Sequence, residues 1–110
     1  MIMHGIPETA SLAEMFRLLG DTTRLRILLA CAEGGGEVAV GEIAKRLNLS
    51  QSLVSHHLRL LRAARLARGE RRGRNVYYAL ADAHVRRMIA DMRAHAREPE
   101  ISRTRMRRAS

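Results

Sequence analysis

The chain has 110 residues, 46% hydrophobic but only 3% aromatic, with 20 Lys and Arg against 11 Asp and Glu for a formal charge of +9. That supplies one compact domain with an aliphatic and Met-built core, small enough that a second copy would help it bury surface. The single cysteine, Cys31, excludes an intrachain disulfide and a cysteine-based zinc cluster; no apolar run nears the ~20 residues that span a bilayer and the start lacks a signal-peptide pattern, so a cytoplasmic protein with no membrane partner is expected.

Residues 1–8 show no period and read as a loose arm. Leu12, Met15, Phe16 and Leu19 then fall at i, i+3, i+4, i+7, the stripe of an amphipathic helix, and Gly20 stops it. Asp21 is placed to cap a second helix, in which Leu25, Leu28, Leu29 and Ala32 repeat the stripe up to Gly34-Gly35-Gly36. A short third helix over Val40, Ile43, Ala44 and Leu47 ends at Asn48, a residue that tolerates left-handed backbone. Ser50 is an N-cap for a fourth helix to about Ala64, with Leu53, Val54, Leu58 and Leu61 on its inner face. Two helices joined so closely make a helix-turn-helix.

Beyond Leu66 the period becomes alternating: Val76, Tyr78 and Leu80 share one side of a strand. Leu66–Arg68 can pair with it across the loop Gly69–Arg74, giving a hairpin with a basic tip, a wing. From Asp82 the helical period returns through Val85, Met88, Ile89, Met92 and Ala96 until Pro99 ends it. The fold expected is mainly α with a small β-hairpin: a winged helix-turn-helix over residues 1–98, homodimeric through its terminal helices. A basic tail over residues 99–110, with four Arg and little to bury, is expected to be disordered.

The cations are nearly all Arg, whose planar fork suits phosphates and guanine edges, so the charge points to a polyanion. On the fourth helix Ser52, Ser55, His56 and Arg59 run opposite the apolar stripe, with Gln51 at the start and Arg62 one turn past Arg59. Such a helix fits the major groove of double-stranded DNA, where Gln pairs with adenine and Arg with guanine while hydroxyls take phosphates. Alone it would be an ordinary polar face; the short helix before it and the basic hairpin after it favour DNA. Arg71, Arg72 and Arg74 of the wing would add electrostatic contacts to the backbone or minor groove.

Three stretches carry a resemblance: Leu19-Gly20-Asp21-Thr22-Thr23-Arg24-Leu25-Arg26-Ile27-Leu28, then Leu49-Ser50-Gln51-Ser52-Leu53-Val54-Ser55-His56-His57-Leu58-Arg59-Leu60-Leu61, then Gly73-Arg74-Asn75-Val76-Tyr77-Tyr78. Across residues 12–98 the chain resembles the ArsR/SmtB family of metal-responsive repressors. The resemblance implies a winged-helix dimer that represses an operator and leaves it on binding a metal. Thr22 departs from the proline often found at that first helical position.

Asp82, His84, His95 and Glu98 are hard or borderline metal ligands. The two histidines are eleven residues apart, so they share a helix face yet stand roughly 16 Å apart along it. One chain cannot bring them to one ion. An antiparallel partner helix must supply its own His95 and Glu98 beside Asp82 and His84, giving two sites per two-fold dimer. The spacing also matches, by resemblance, the fifth-helix zinc site of the SmtB-like branch. Read singly, Asp82 is an N-cap, the histidines are exposed helix residues and Glu98 is a solvated charge biased out of the helix by Pro99. The donors suit Zn(II), with Ni(II) or Co(II) as alternatives and His4 as a further candidate ligand.

The third-helix cysteine site of the family's arsenic, cadmium and lead sensors has no counterpart in Glu37–Glu42, and Cys31 reads as a small core residue. A regulator of the same family answering a non-metal signal, or none, is the alternative. A metal-dependent hydrolase is disfavoured, because protein side chains would fill all four ligand positions and no second domain offers a pocket.

Overall fold

A computed structural model describes residues 6–99, so His4 and the tail from residue 100 lie outside the described residues. The order is α1 (Thr9–Leu19), α2 (Thr22–Glu33), β1 (Val38–Ala39), α3 (Val40–Leu47), α4 (Gln51–Ala63), β2 (Ala67–Arg72), β3 (Asn75–Leu80) and α5 (Ala83–Ala96). Each expected helix is present, and three of them start where a short polar side chain predicts. Asp21, Ser50 and Asp82 accept hydrogen bonds from the amides of Arg24, Leu53 and Val85 at 2.9, 3.1 and 3.0 Å, each satisfying a free first-turn donor.

The helix stops differ in kind. Gly20 keeps right-handed backbone (φ −73°), so α1 ends because Asp21 turns to extended backbone to cap α2. Asn48 is left-handed as expected (φ 56°), and the Leu49 amide reaches back to the Ala44 carbonyl at 2.9 Å. The same closure ends α4. There the Leu66 amide donates to the Leu61 carbonyl and the left-handed residue is Arg65 (φ 61°), a position that usually takes glycine.

The sheet has three strands in the order β1-β3-β2, all antiparallel, rather than the two expected. Val38 and Ala39 pair with Tyr78 and Tyr77, a contact two residues long that leaves no periodic trace in the sequence. The hairpin is also longer than expected. β2 runs to Arg72, which pairs with Asn75, so the loop read as Gly69–Arg74 is strand except for the two-residue turn Gly73-Arg74. Gly73 at φ 62° supplies the glycine-first turn that matches strand twist. Gly69 belongs in the strand because the Tyr78 ring lies over it: a Cβ there would come within 2.7 Å of that ring.

Ile27, Leu28, Cys31, Ile43, Val54, Leu58 and Leu61 form the most deeply buried part of the core, closed by Leu66, Tyr78 and Leu80 from the sheet and by Val85 and Ile89 from α5. Two readings of the apolar stripes need correction. Leu53 is 38% exposed, because it sits about 100° around α4 from Val54, off the face defined by Val54, Leu58 and Leu61. In α1 the buried residue is Leu18, while Leu12 and Phe16 are 43% and 65% exposed. The α1 stripe is therefore wider than one chain covers, and Met92 of α5 is likewise uncovered.

Left-handed backbone costs a non-glycine residue roughly 1–2 kcal/mol, part of which glycine gives back through its freedom in the unfolded chain. Arg65→Gly is accordingly expected to stabilise the fold by about 0.5–1 kcal/mol, seen as a higher urea midpoint at unchanged slope.

Candidate nucleic-acid interface and metal centre

Helix α4 separates two chemistries by its turn angle. Val54, Leu58 and Leu61 are fully inside, while Gln51, Ser52, His56, Arg59 and Arg62 are exposed and Ser55 partly so. Gln51 rests against the first turn of α3, where a Cβ on Gly41 would stand 3.4 Å from its Nε2. Ser55, Arg59 and Arg62 join Arg71 of β2 around an open groove of about 240 Å³ between α4 and the hairpin, with Val76 and Tyr78 in its wall and Glu70 also along its lining.

The three wing arginines do not share a face. Strand alternation sends Arg71 to the same side as Gly69, Val76 and Tyr78, toward α4, and Arg72 to the opposite side with Glu70, Asn75 and Tyr77. Arg72 donates to Glu70 at 2.9 Å and to Glu37 at 2.5 Å, and its guanidinium carbon lies 4.9 Å from the centre of the Tyr77 ring. Arg74 is exposed at the turn.

The four candidate metal ligands form two pairs at the two ends of α5. His84 Nδ1 is 3.6 Å from Asp82 Oδ1, and His95 Nδ1 is 3.6 Å from Glu98 Oε2. The Val85 amide, ahead of the nearby His84 and Arg86 charges, holds the Asp82 carboxyl below the ordinary carboxylate range, so it is ionised. Glu98 lies past the helix end, and its amide donates to the His95 carbonyl. Among the described residues no three His, Cys, Asp or Glu side chains gather around one point. Imidazole and carboxylate are the donors that borderline divalent ions take, so each pair fits as half of a site. Cys31 is 1% exposed, and burial pushes its thiol up to about 12, which leaves it unreactive.

Residues 21–68 match the family described as bacterial regulatory protein, arsR family. Over 96 residues the chain is 40% identical to a transcriptional repressor SmtB homolog of Synechocystis sp., covering 87% of this chain and 71% of that protein. The chain belongs to the arsR family. A second relative, the transcriptional repressor SmtB of Mycobacterium tuberculosis, is 41% identical over 80% of this chain and 64% of its own length. Among solved structures, reduced HlyU from Vibrio cholerae superposes with a TM-score of 0.72 at 30% identity, over 83% of this chain and 94% of that one. A homodimeric winged helix-turn-helix DNA-binding domain from Mycobacterium bovis gives 0.73 at 27% identity, over 86% and 90%. This arsR-family chain is thus a DNA-binding regulator of transcription with a winged fold, not an enzyme. Among its described residues no helix is long and apolar enough to cross a membrane.

One contact escaped the sequence reading. Arg24 Nε donates to His57 Nδ1 at 3.2 Å and Arg24 Nη1 to the Leu18 carbonyl at 3.3 Å, tying α2, α4 and the end of α1 together. The partners are 33 residues apart, and nothing in an Asp-x-x-Arg start or a His-His pair signals that they meet. Partial burial, then the Arg24 charge and that of His56, lower the His57 pKa against the opposing pull of Asp21. The unfolded chain therefore takes up the proton first as pH falls below the ordinary value of 6.5, so stability is full above that value and is lost below it. Thermal midpoints of the native chain are expected to fall between about pH 7.5 and pH 5.5 more steeply than those of His57→Gln.

Proposed function

We propose that the chain is a metal-responsive repressor, released from its operator when Zn(II), or in its place Ni(II) or Co(II), binds between two subunits. The observation that carries this is the pair of donor pairs at opposite ends of one helix, Asp82 with His84 and His95 with Glu98, each too small a set to hold an ion alone. Asp82 and His84 of one chain with His95 and Glu98 of the partner subunit would hold the ion, which when bound supplies a bridge between the two α5 helices. The uncovered Leu12, Phe16 and Met92 of the terminal helices support a dimer formed there. Release then requires that the ion bind more tightly to a dimer geometry that fits DNA poorly.

In this reading Gln51 and Arg59 contact bases, Ser52, Ser55 and His56 line the same groove face, and Arg62, Arg71 and Arg74 take phosphates. A two-fold dimer presents two such helices, so the operator is an imperfect inverted repeat. Asp82 already caps α5, which is the observation favouring the second reading, a family member that answers another signal or none.

Operator anisotropy with Zn(II), Ni(II), Co(II) and no metal separates the two; equal affinity in all four overturns the metal reading. For the site itself, Asp82→Asn with His84→Gln keeps an N-cap, and His95→Gln with Glu98→Gln damages the other half. Each homodimer is expected to bind operator but not respond to zinc, and a mixed dimer of the two to regain one zinc site. Tight zinc binding by either homodimer would overturn the shared site.

For DNA, Arg59→Ala is expected to lower specific over nonspecific affinity by about 1–3 kcal/mol. An unchanged ratio would remove α4 as the reader.

A further inference from the structure

The wing contains one arginine whose surroundings do not suit a DNA contact. Arg72 sits on the outer face of the sheet, turned away from the groove that Arg71 shares with Arg59 and Arg62. Its guanidinium is held by two carboxylates, Glu70 two residues earlier on β2 and Glu37 just ahead of β1, and rests over the Tyr77 ring of β3. These contacts join β2 and β3 to the residue that leads into β1. Glu37 also stands three residues before α3, so the chain that Arg72 grips runs directly into the helix-turn-helix.

The hairpin needs such a hold. β1 pairs with β3 only at Tyr77 and Tyr78, whereas β2 and β3 continue past them to the Arg72–Asn75 pair. The distal residues of the wing therefore have no third strand beside them. A two-stranded ribbon is free to twist and swing, and Arg72 lies back from that unsupported end across the sheet.

We propose that Arg72 is a positioning residue: with Glu37, Glu70 and Tyr77 it latches the wing at a fixed angle to α3 and α4, and it leaves the phosphates to Arg71 and Arg74. The proposal rests on the reading that this wing lies against DNA. Two carboxylates on the outer face would repel phosphates if Arg72 reached out to DNA and left them bare, so the ion pairs and the contact compete directly.

The two roles give opposite signs for one substitution. If Arg72 were a phosphate contact restrained by Glu37, Glu37→Gln would remove a negative charge, free the cation and tighten binding. A latch predicts the reverse. On a duplex selected by the native chain from a random-sequence library, Glu37→Gln is expected to weaken binding roughly fivefold, with the slope of log K against log salt unchanged. Arg71→Ala and Arg74→Ala are each expected to reduce that slope by about 1. The exchange Glu37→Arg with Arg72→Glu, which keeps the net charge, is expected to recover most of the affinity lost by Arg72→Glu alone. Thermal midpoints of the variants near that of the native chain would show that the fold is kept. Tighter binding by Glu37→Gln, or no recovery in the exchange, would overturn the latch while leaving DNA binding intact. A flat salt dependence of the native chain would instead overturn the DNA reading and the latch with it.

Discussion

A single guanidinium ties helix α4 to helices α1 and α2. Arg24 lies in the first turn of α2, and its own amide is the one that Asp21 caps; its side chain then reaches the last turn of α1 and the middle of α4. A guanidinium has no lone pair to offer, so His57 Nδ1 must be the acceptor and the proton of its neutral ring sits on Nε2. The contact adds a polar tie to the buried face of Val54, Leu58 and Leu61, and together they set how α4 is turned about its axis. Since side chains on a helix are spaced by about 100°, burying Val54 and Leu58 also sets which residues stand outward: Ser52, His56 and Arg59, with Ser55 partly so.

Below that contact the packing is ordinary and aliphatic. Val54, Leu58 and Leu61 meet Ile27, Leu28 and Ile43 with no exposure, and among the described residues no buried side-chain polar atom lacks a partner. Polar chemistry is kept to the rim, where its strength depends on geometry rather than burial. Exposed pairs such as Arg17 with Glu14 or Arg46 with Glu42 contribute little, because water and salt screen them. The pair of Arg93 with Glu33 at 3.4 Å has the Arg93 side half-buried and spans α5 and the end of α2. It gives the terminal helix a polar link to α2 in addition to the apolar contact of Val85 and Ile89.

Helix starts were legible in the sequence because a cap is local: Asp21, Ser50 and Asp82 each act within three residues of themselves. The core face of α4 was legible apart from Leu53, which an apolar count includes and the turn angle excludes. What depends on partners distant in sequence was not legible. β1 exists because Val38 and Ala39 lie beside β3, and the length of β2 follows from pairing that Glu70, Arg71 and Arg72, all charged, do not advertise. Of the candidate DNA residues, the pattern picked out the exposed face of α4 correctly as a face, but it could not tell Arg71 from Arg72, because facing in a strand depends on register. The ligand pairs on α5 were legible as spacing, and their separation along the helix follows from the rise per residue alone.

The width of the α1 stripe has a consequence for how much of this protein is folded at a given abundance. Leu12, Phe16 and Met92 are large apolar side chains that a single chain leaves in water, and covering them in the proposed dimer would make association part of folding. Stability then carries a logarithmic dependence on the number of copies present, so the half-life of a scarce subunit and that of an abundant one differ without any change in sequence. In the proposed dimer, copies too dilute to pair would be the ones most open to proteolysis, so such a repressor would set its own lower bound of abundance.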